Sequence, residues 1–126
     1  MTLKNQLFKC DICGNVAQIV HQGAGTLVCC GEEMQHLDEK PAEAGNPHYA
    51  NVTKDGQNVS IKFSHEMIPE HYIELVEVVS NDDRYLKRKY FEPKEPCELN
   101  FKCDCKEGFK IRVYCNIHGV ITTKGF

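Results

Sequence analysis

Apolar and polar residues alternate through the last two thirds of the chain. Asn58-Val-Ser-Ile-Lys-Phe63 puts Val59, Ile61 and Phe63 on one face, after a turn at Asp55-Gly56. Tyr72 to Val79 is longer and apolar enough to be buried on much of both faces. Arg84 to Phe91 is a further candidate strand. Cys97, Leu99, Phe101, Cys103 and Cys105 alternate with Glu98, Asn100, Lys102 and Asp104. Phe109, Ile111, Val113 and Cys115 then share one face of Phe109 to Cys115. Strands at short spacing, with turn signals and no helical period, predict an antiparallel sandwich or barrel. The first third differs, with two short β-like pieces, Val16 to Val20 and Thr26 to Cys29, around a turn containing Gly23 and Gly25. Leu37 to Pro47 is polar, carries two prolines and a glycine, and has no apolar period. The pattern predicts an all-β chain of two modules, residues 1–37 and 48–126, joined by a linker over 38–47.

Composition narrows the chemistry. The 126 residues leave room for a small module beside a domain of about 90. With 41% hydrophobic and 26% charged residues the chain is globular rather than disordered. A net charge of −3 argues against a phosphate-binding surface, so no nucleic-acid partner is expected. Arg84, Lys87, Arg88 and Lys89 fall within six residues; they could mark a nucleic-acid or acidic-partner patch but read as the exposed face of a β-hairpin. The N-terminus has no secretory apolar core, and no apolar run approaches the ~18–20 residues of a membrane span. A cytoplasmic location is expected, where clustered cysteines serve as metal ligands or redox groups rather than disulfides.

A module of about 37 residues cannot bury enough apolar surface to fold unaided. Cys10-Asp-Ile-Cys13-Gly14 and Cys29-Cys30-Gly31 supply a staple: four thiolates in a small hairpin make a tetrahedral site for zinc or iron. The spacing leaves the choice of metal open.

In the second module Cys115-Asn-Ile-His118-Gly119 sits at a strand end with a metal-ligand spacing, His65 and His71 share one loop, and His48 starts the domain. Four imidazoles and one thiolate exceed the four ligands at which structural zinc sites close. Five N/S donors leave one octahedral position open, which suits iron and a small ligand. Cys97, Cys103 and Cys105 share the parity of Leu99 and Phe101 and read as small core-facing hydrophobes. The alternative, a second redox or metal pair at Cys103-Asp-Cys105, has no partner ligands nearby in sequence.

The Cys10-x-x-Cys13…Cys29-Cys30 module resembles desulforedoxin, and the His48…His65…His71…Cys115-x-x-His118 set resembles the superoxide reductase domain of desulfoferrodoxins. The resemblance covers essentially the whole chain. It implies a desulforedoxin-like module followed by an immunoglobulin-like β-sandwich. It also implies two irons, one on Cys10, Cys13, Cys29 and Cys30, the other on equatorial His48, His65, His71 and His118 with axial Cys115. The implied activity is one-electron reduction of superoxide to hydrogen peroxide without dioxygen, with rubredoxin as a common donor and a homodimer as the usual state. Two departures from the family pattern involve three positions. Asn46 and Pro47 stand where Glu-Lys is frequent, so neither of those roles carries over; either Lys40, Lys54, Lys87 or Lys89 substitutes for the missing cation, or protons come from bulk water with weaker steering. Glu66 stands where proline is common and reads as a surface charge. The competing functions are a non-catalytic iron electron carrier and a zinc-stapled binding module.

Overall fold

The computed structural model describes residues 1–103, 106 and 108–124. The chain divides into two compact units, Met1–Asp38 and Glu39–Phe126, and every regular element among the described residues is a strand. No helix there is long and apolar enough to cross a membrane.

In the smaller unit β1 (Leu7–Lys9) lies between β2 (Val16–Gln18) and β5 (Gln35–His36), while β3 (Val28–Cys29) pairs with β4 (Glu32–Glu33). Its buried apolar set is short: Leu7, Cys10, Ile19 and Met34. Ile12, Val20 and Val28 stay exposed. Strands this small need a further constraint to persist.

The larger unit is a sandwich. One sheet runs in the order β10-β9-β12-β13-β6, built from β6 (Lys40–Pro41), β9 (Ile73–Ser80), β10 (Leu86–Tyr90), β12 (Phe109–Cys115) and β13 (Gly119–Thr123). The other, in the order β11-β8-β7, uses β7 (Asn51–Asp55), β8 (Asn58–Lys62) and β11 (Glu98–Lys102). All pairings are antiparallel except β13 with β6. The period-2 rule fills the core from both sheets: Val59, Ile61 and Leu99 from one, Val76, Val78, Ile111, Val113 and Cys115 from the other. The 55–58 hairpin closes through Gly56 at φ +61°, a conformation that favours glycine.

Four expectations change. Part of the stretch read as a linker belongs to the sandwich: Lys40–Pro41 pairs with Ile121–Thr122, and Ala42 N–H donates to the Thr122 carbonyl (2.9 Å). An edge strand of this kind tolerates proline and carries no hydrophobic period, so the pattern hides it. β7 is missed for the same reason, since only Val52 of its five residues is apolar. The basic run 84–89 is not uniformly solvated: Arg88 turns inward and its Nη2 donates to Glu77 Oε2 at 2.6 Å. Cys97 is a core residue, its thiol pushed up to about 12 by burial, but Cys103, which packs against the same core, takes part in a disulfide and is no simple hydrophobe. Cys105 lies outside the described residues.

On the sheet face opposite the core, charged residues line up across the strands. Arg112 Nε donates to Glu77 Oε1 (2.8 Å), and Arg112 Nη1 to Glu39 Oε1 (3.2 Å). Lys110 Nζ lies 3.0 Å from both Glu39 oxygens. These pairs tie the segment that precedes β6 to the sheet centre.

Candidate metal centres

The first cluster is made by two tight turns. After β1, Gly14 N–H donates to the Cys10 carbonyl (2.9 Å) with Gly14 at φ +84°, which folds Cys13 back toward Cys10. After β3, Cys30 and Gly31 are both left-handed, at φ +54° and +76°. That costs strain at a non-glycine residue, and it turns two adjacent cysteines toward one point. The Cys13 and Cys29 sulfurs lie 3.6 Å apart, and those of Cys29 and Cys30 4.0 Å. A tetrahedron with ~2.3 Å metal–sulfur bonds has edges of about 3.8 Å. All four sulfurs lie within 4.8 Å of one another. The Cys13 backbone N–H holds the Cys10 thiol down at about 7, whereas proton sharing with Cys13, Cys29 and Cys10 drives Cys30 up to about 12. Four thiolates therefore coexist here only around a cation.

The second cluster hangs on the sandwich. Cys115 ends β12 on the same row as Phe109, Ile111 and Val113, so the alternation that builds the core also buries its sulfur completely. A register shift between Tyr114 and Cys115 and the left-handed Gly119 (φ +78°) shape the turn that carries His118. His71 precedes β9 and closes a bridged turn with Ile68, His65 follows β8, and His48 precedes β7. Asn116 joins two of these loops: its Oδ1 accepts from Tyr72 N–H (2.9 Å) and its Nδ2 donates to the Glu70 carbonyl (3.1 Å).

The donor atoms converge. His48 and His65 Nε2 lie 3.1 Å apart, and His71 Nε2 lies 3.2 Å from His118 Nδ1. Cys115 Sγ is 3.5 Å from His118 Nδ1 and 3.7 Å from His65 Nε2. Nitrogen ligands at right angles on ~2.1 Å bonds would stand about 3.0 Å apart.

The outer nitrogens show what the inner ones are. His48 Nδ1 faces Asn46 Oδ1 (3.0 Å), an oxygen that also accepts the His48 backbone N–H (2.8 Å). His65 Nδ1 faces the Glu66 carbonyl, and His71 Nδ1 faces Glu66 Oε1 at 2.6 Å. A ring nitrogen facing an oxygen acceptor carries the proton, which leaves each Nε2 as a lone pair. Lone pairs 3.1 Å apart repel unless a cation lies among them, so the donor set fits a metal ion. Burial, followed by the neighbouring rings, lowers His48 to about 4, and burial lowers His65 as well, so both rings are neutral at pH 7.

A cavity of about 700 Å³ touches all four imidazoles together with Lys40, Asn46 and Glu66, but not Cys115. The donor set is thus open on the side away from sulfur. Every sequence-predicted site residue falls in one cluster or the other. His36, not a candidate ligand, stands apart from both clusters: it packs on the Phe8 ring and pairs with Asp38 at 3.0 Å. Of the candidate lysines, Lys40 lines the cavity, with Nζ 3.3 Å from the His118 carbonyl. Lys54, Lys87 and Lys89 instead lie over the rings of Phe109, Phe101 and Phe91. Sequence reasoning missed the outer-nitrogen partners. Glu66 is more than a surface charge, and Asn46 holds a ring. The available signal was a polar side chain next to, or two residues before, a candidate ligand.

Comparison with known proteins agrees with this organisation. Residues 2–37 match the family described as "Desulfoferrodoxin, N-terminal domain", and residues 42–124 match "Desulfoferrodoxin". A desulfoferrodoxin homolog of Methanothermobacter thermautotrophicus is 36% identical over 124 residues, 95% of this chain and 98% of that protein. The desulforedoxin of Megalodesulfovibrio gigas is 47% identical over 34 residues, 27% of this chain and 92% of that protein. The superoxide reductase of Treponema pallidum shares the fold, with a TM-score of 0.73 at 22% identity over 94% of this chain and 97% of that one. The chain belongs to the desulfoferrodoxin family.

Proposed function

We propose that the protein is a superoxide reductase, transferring one electron to superoxide and releasing hydrogen peroxide without dioxygen. The ligands are His48, His65, His71, His118 and Cys115 for the catalytic iron, and Cys10, Cys13, Cys29 and Cys30 for a second iron. One observation carries the reading: five converging donors border a cavity lined by the imidazoles and not by the thiolate. When bound, ferrous iron supplies the electron and offers its open position to a small anion.

The chain's own groups do the rest. Neutral imidazoles add no negative charge, so one thiolate leaves a dication site net positive and attractive to superoxide. Burial of Cys115 keeps water off its sulfur, so that its charge acts on the ligand set rather than being screened. Lys40 places an ammonium group on the cavity wall and takes the anion-steering role. Two protons are consumed per peroxide, and the open cavity admits the water that delivers them. Rubredoxin as electron donor, a homodimeric state and a cytoplasmic location rest on the family resemblance alone.

The decisive measurement is stoichiometry under rapid mixing: one peroxide per superoxide consumed, with no dioxygen. Dioxygen release, or zinc in the four-histidine site of the isolated protein, overturns the reading. For Lys40, the wild-type association rate should fall as salt rises, and Lys40→Ala should flatten that slope. A wild-type rate insensitive to ionic strength removes the steering role.

A further inference from the structure

Glu66 reaches two of the four imidazoles at once. Its main-chain carbonyl accepts from His65 Nδ1, and its side-chain Oε1 accepts from His71 Nδ1 at 2.6 Å. The turn bridged by Ile68 and His71 brings the chain back so that both contacts form. The side chain is 55% exposed, so it is not held there by burial. A solvated carboxylate normally keeps its rotamer freedom, and this one gives it up for a single imidazole N–H. His48 offers the contrast, because its Nδ1 meets only a neutral amide oxygen.

We infer that Glu66 is a positioning residue: it fixes the ring orientation and tautomer of His71, and its negative charge makes that imidazole a stronger electron donor toward the metal. The inference rests on the proposed four-histidine iron site. A carboxylate behind a ligand imidazole favours the more highly charged metal, so it biases the centre toward the ferric state. The role divides into two separable parts. The hydrogen bond sets where Nε2 points, and the charge sets how much density reaches it. Gln keeps an acceptor and loses the charge; Ala loses both.

The experiment uses the full chain as wild type, Glu66→Gln and Glu66→Ala, with the tetrathiolate centre of the same molecule as internal control. Ferrous iron is titrated anaerobically into the metal-free proteins, and the ferric/ferrous ratio of the second centre is read optically at fixed potentials. Glu66→Ala should weaken iron binding at that centre by about 10–100-fold. Glu66→Gln should bind within a few-fold of wild type but move the ratio toward ferrous by about tenfold, equivalent to ~59 mV for one electron. The tetrathiolate centre should not move in either variant. Should Glu66→Ala fail to fold, Glu66→Gln carries the test through the potential alone. Unchanged affinity and potential in a folded variant, with wild type loading iron normally, overturns the role of Glu66 and leaves the function proposed above intact. A wild-type second site that takes up no iron overturns both.

Discussion

The two donor clusters are built on opposite logic. The tetrathiolate cluster takes its ligands from two turns within Cys10 to Cys30, in a unit whose buried apolar residues are few, and Cys13 and Cys30 are exposed. The imidazole–thiolate cluster draws on loops spread from His48 to His118, around a sandwich with a continuous core. The first is built so that a metal would organise the chain, the second so that the chain would organise a metal. Ligand identity dominates a site of the first kind, whereas second-sphere contacts such as Asn46, Glu66 and Asn116 matter in the second.

Metal removal is the strongest way to break the comparison. Structural zinc sites in small modules contribute apparent binding energies of about 10–16 kcal/mol to folding, and a tetrathiolate centre plays the same part here. Anaerobic chelation should therefore collapse the dispersed amide resonances of residues 1–38 while those of the sandwich persist. Equal loss in both units would end the distinction. Next in size is a ligand exchange tested in both clusters. Cys115→Ser should lower peroxide formation by more than about 100-fold, beyond what outer-sphere changes cost, and leave the tetrathiolate absorption in place. Cys13→Ser should do the reverse, abolishing that absorption with peroxide formation near wild type.

A smaller effect tests whether the sandwich stands by its own interactions. Half-burial alone would raise Glu39, but its bonds to Lys110 and Arg112 outweigh that and hold it below the usual 4.5. A carboxylate lowered on folding contributes stability above its unfolded value and loses it as pH falls through the folded one. Glu39→Gln should cost about 2 kcal/mol in urea unfolding at pH 7, with the two proteins converging well below pH 4.5. Parallel pH profiles would show that the ionisation of Glu39 contributes nothing. Smallest is Cys97→Ala, which removes a buried thiol from the core. It should cost about 1 kcal/mol and leave both visible spectra unchanged. A spectral change at either centre would mean that Cys97 is more than packing.

Much of this was legible before folding. The strands β8, β9 and β12 declare themselves because each has one face or both buried, so the hydrophobic period survives in the residues. β6 and β7 do not, because at sheet margins polar residues and proline satisfy the same backbone geometry. Among the ligand candidates, spacing alone marks Cys10-x-x-Cys13 and Cys115-x-x-His118, since both fit within one turn. That His48 would meet His65 at 3.1 Å leaves no trace in spacing, because seventeen residues and a hairpin separate them. It was accessible only through resemblance to a family.

Residue identity and short spacing settle the inventory: an all-β chain, a thiolate cluster, a surplus of imidazoles and the Cys115 thiol on the core row of a strand that ends in Cys-x-x-His. These properties depend on side-chain chemistry and local periodicity, which act over a few residues. Folding alone decides which lysine faces the cavity, that Arg88 pairs with the buried Glu77 while Lys87 and Lys89 lie over Phe101 and Phe91, and that an apparently idle Glu66 holds two rings. Those outcomes depend on which loops the sandwich brings together, and loop meetings are set by sheet order and register, which no stretch of the chain encodes alone.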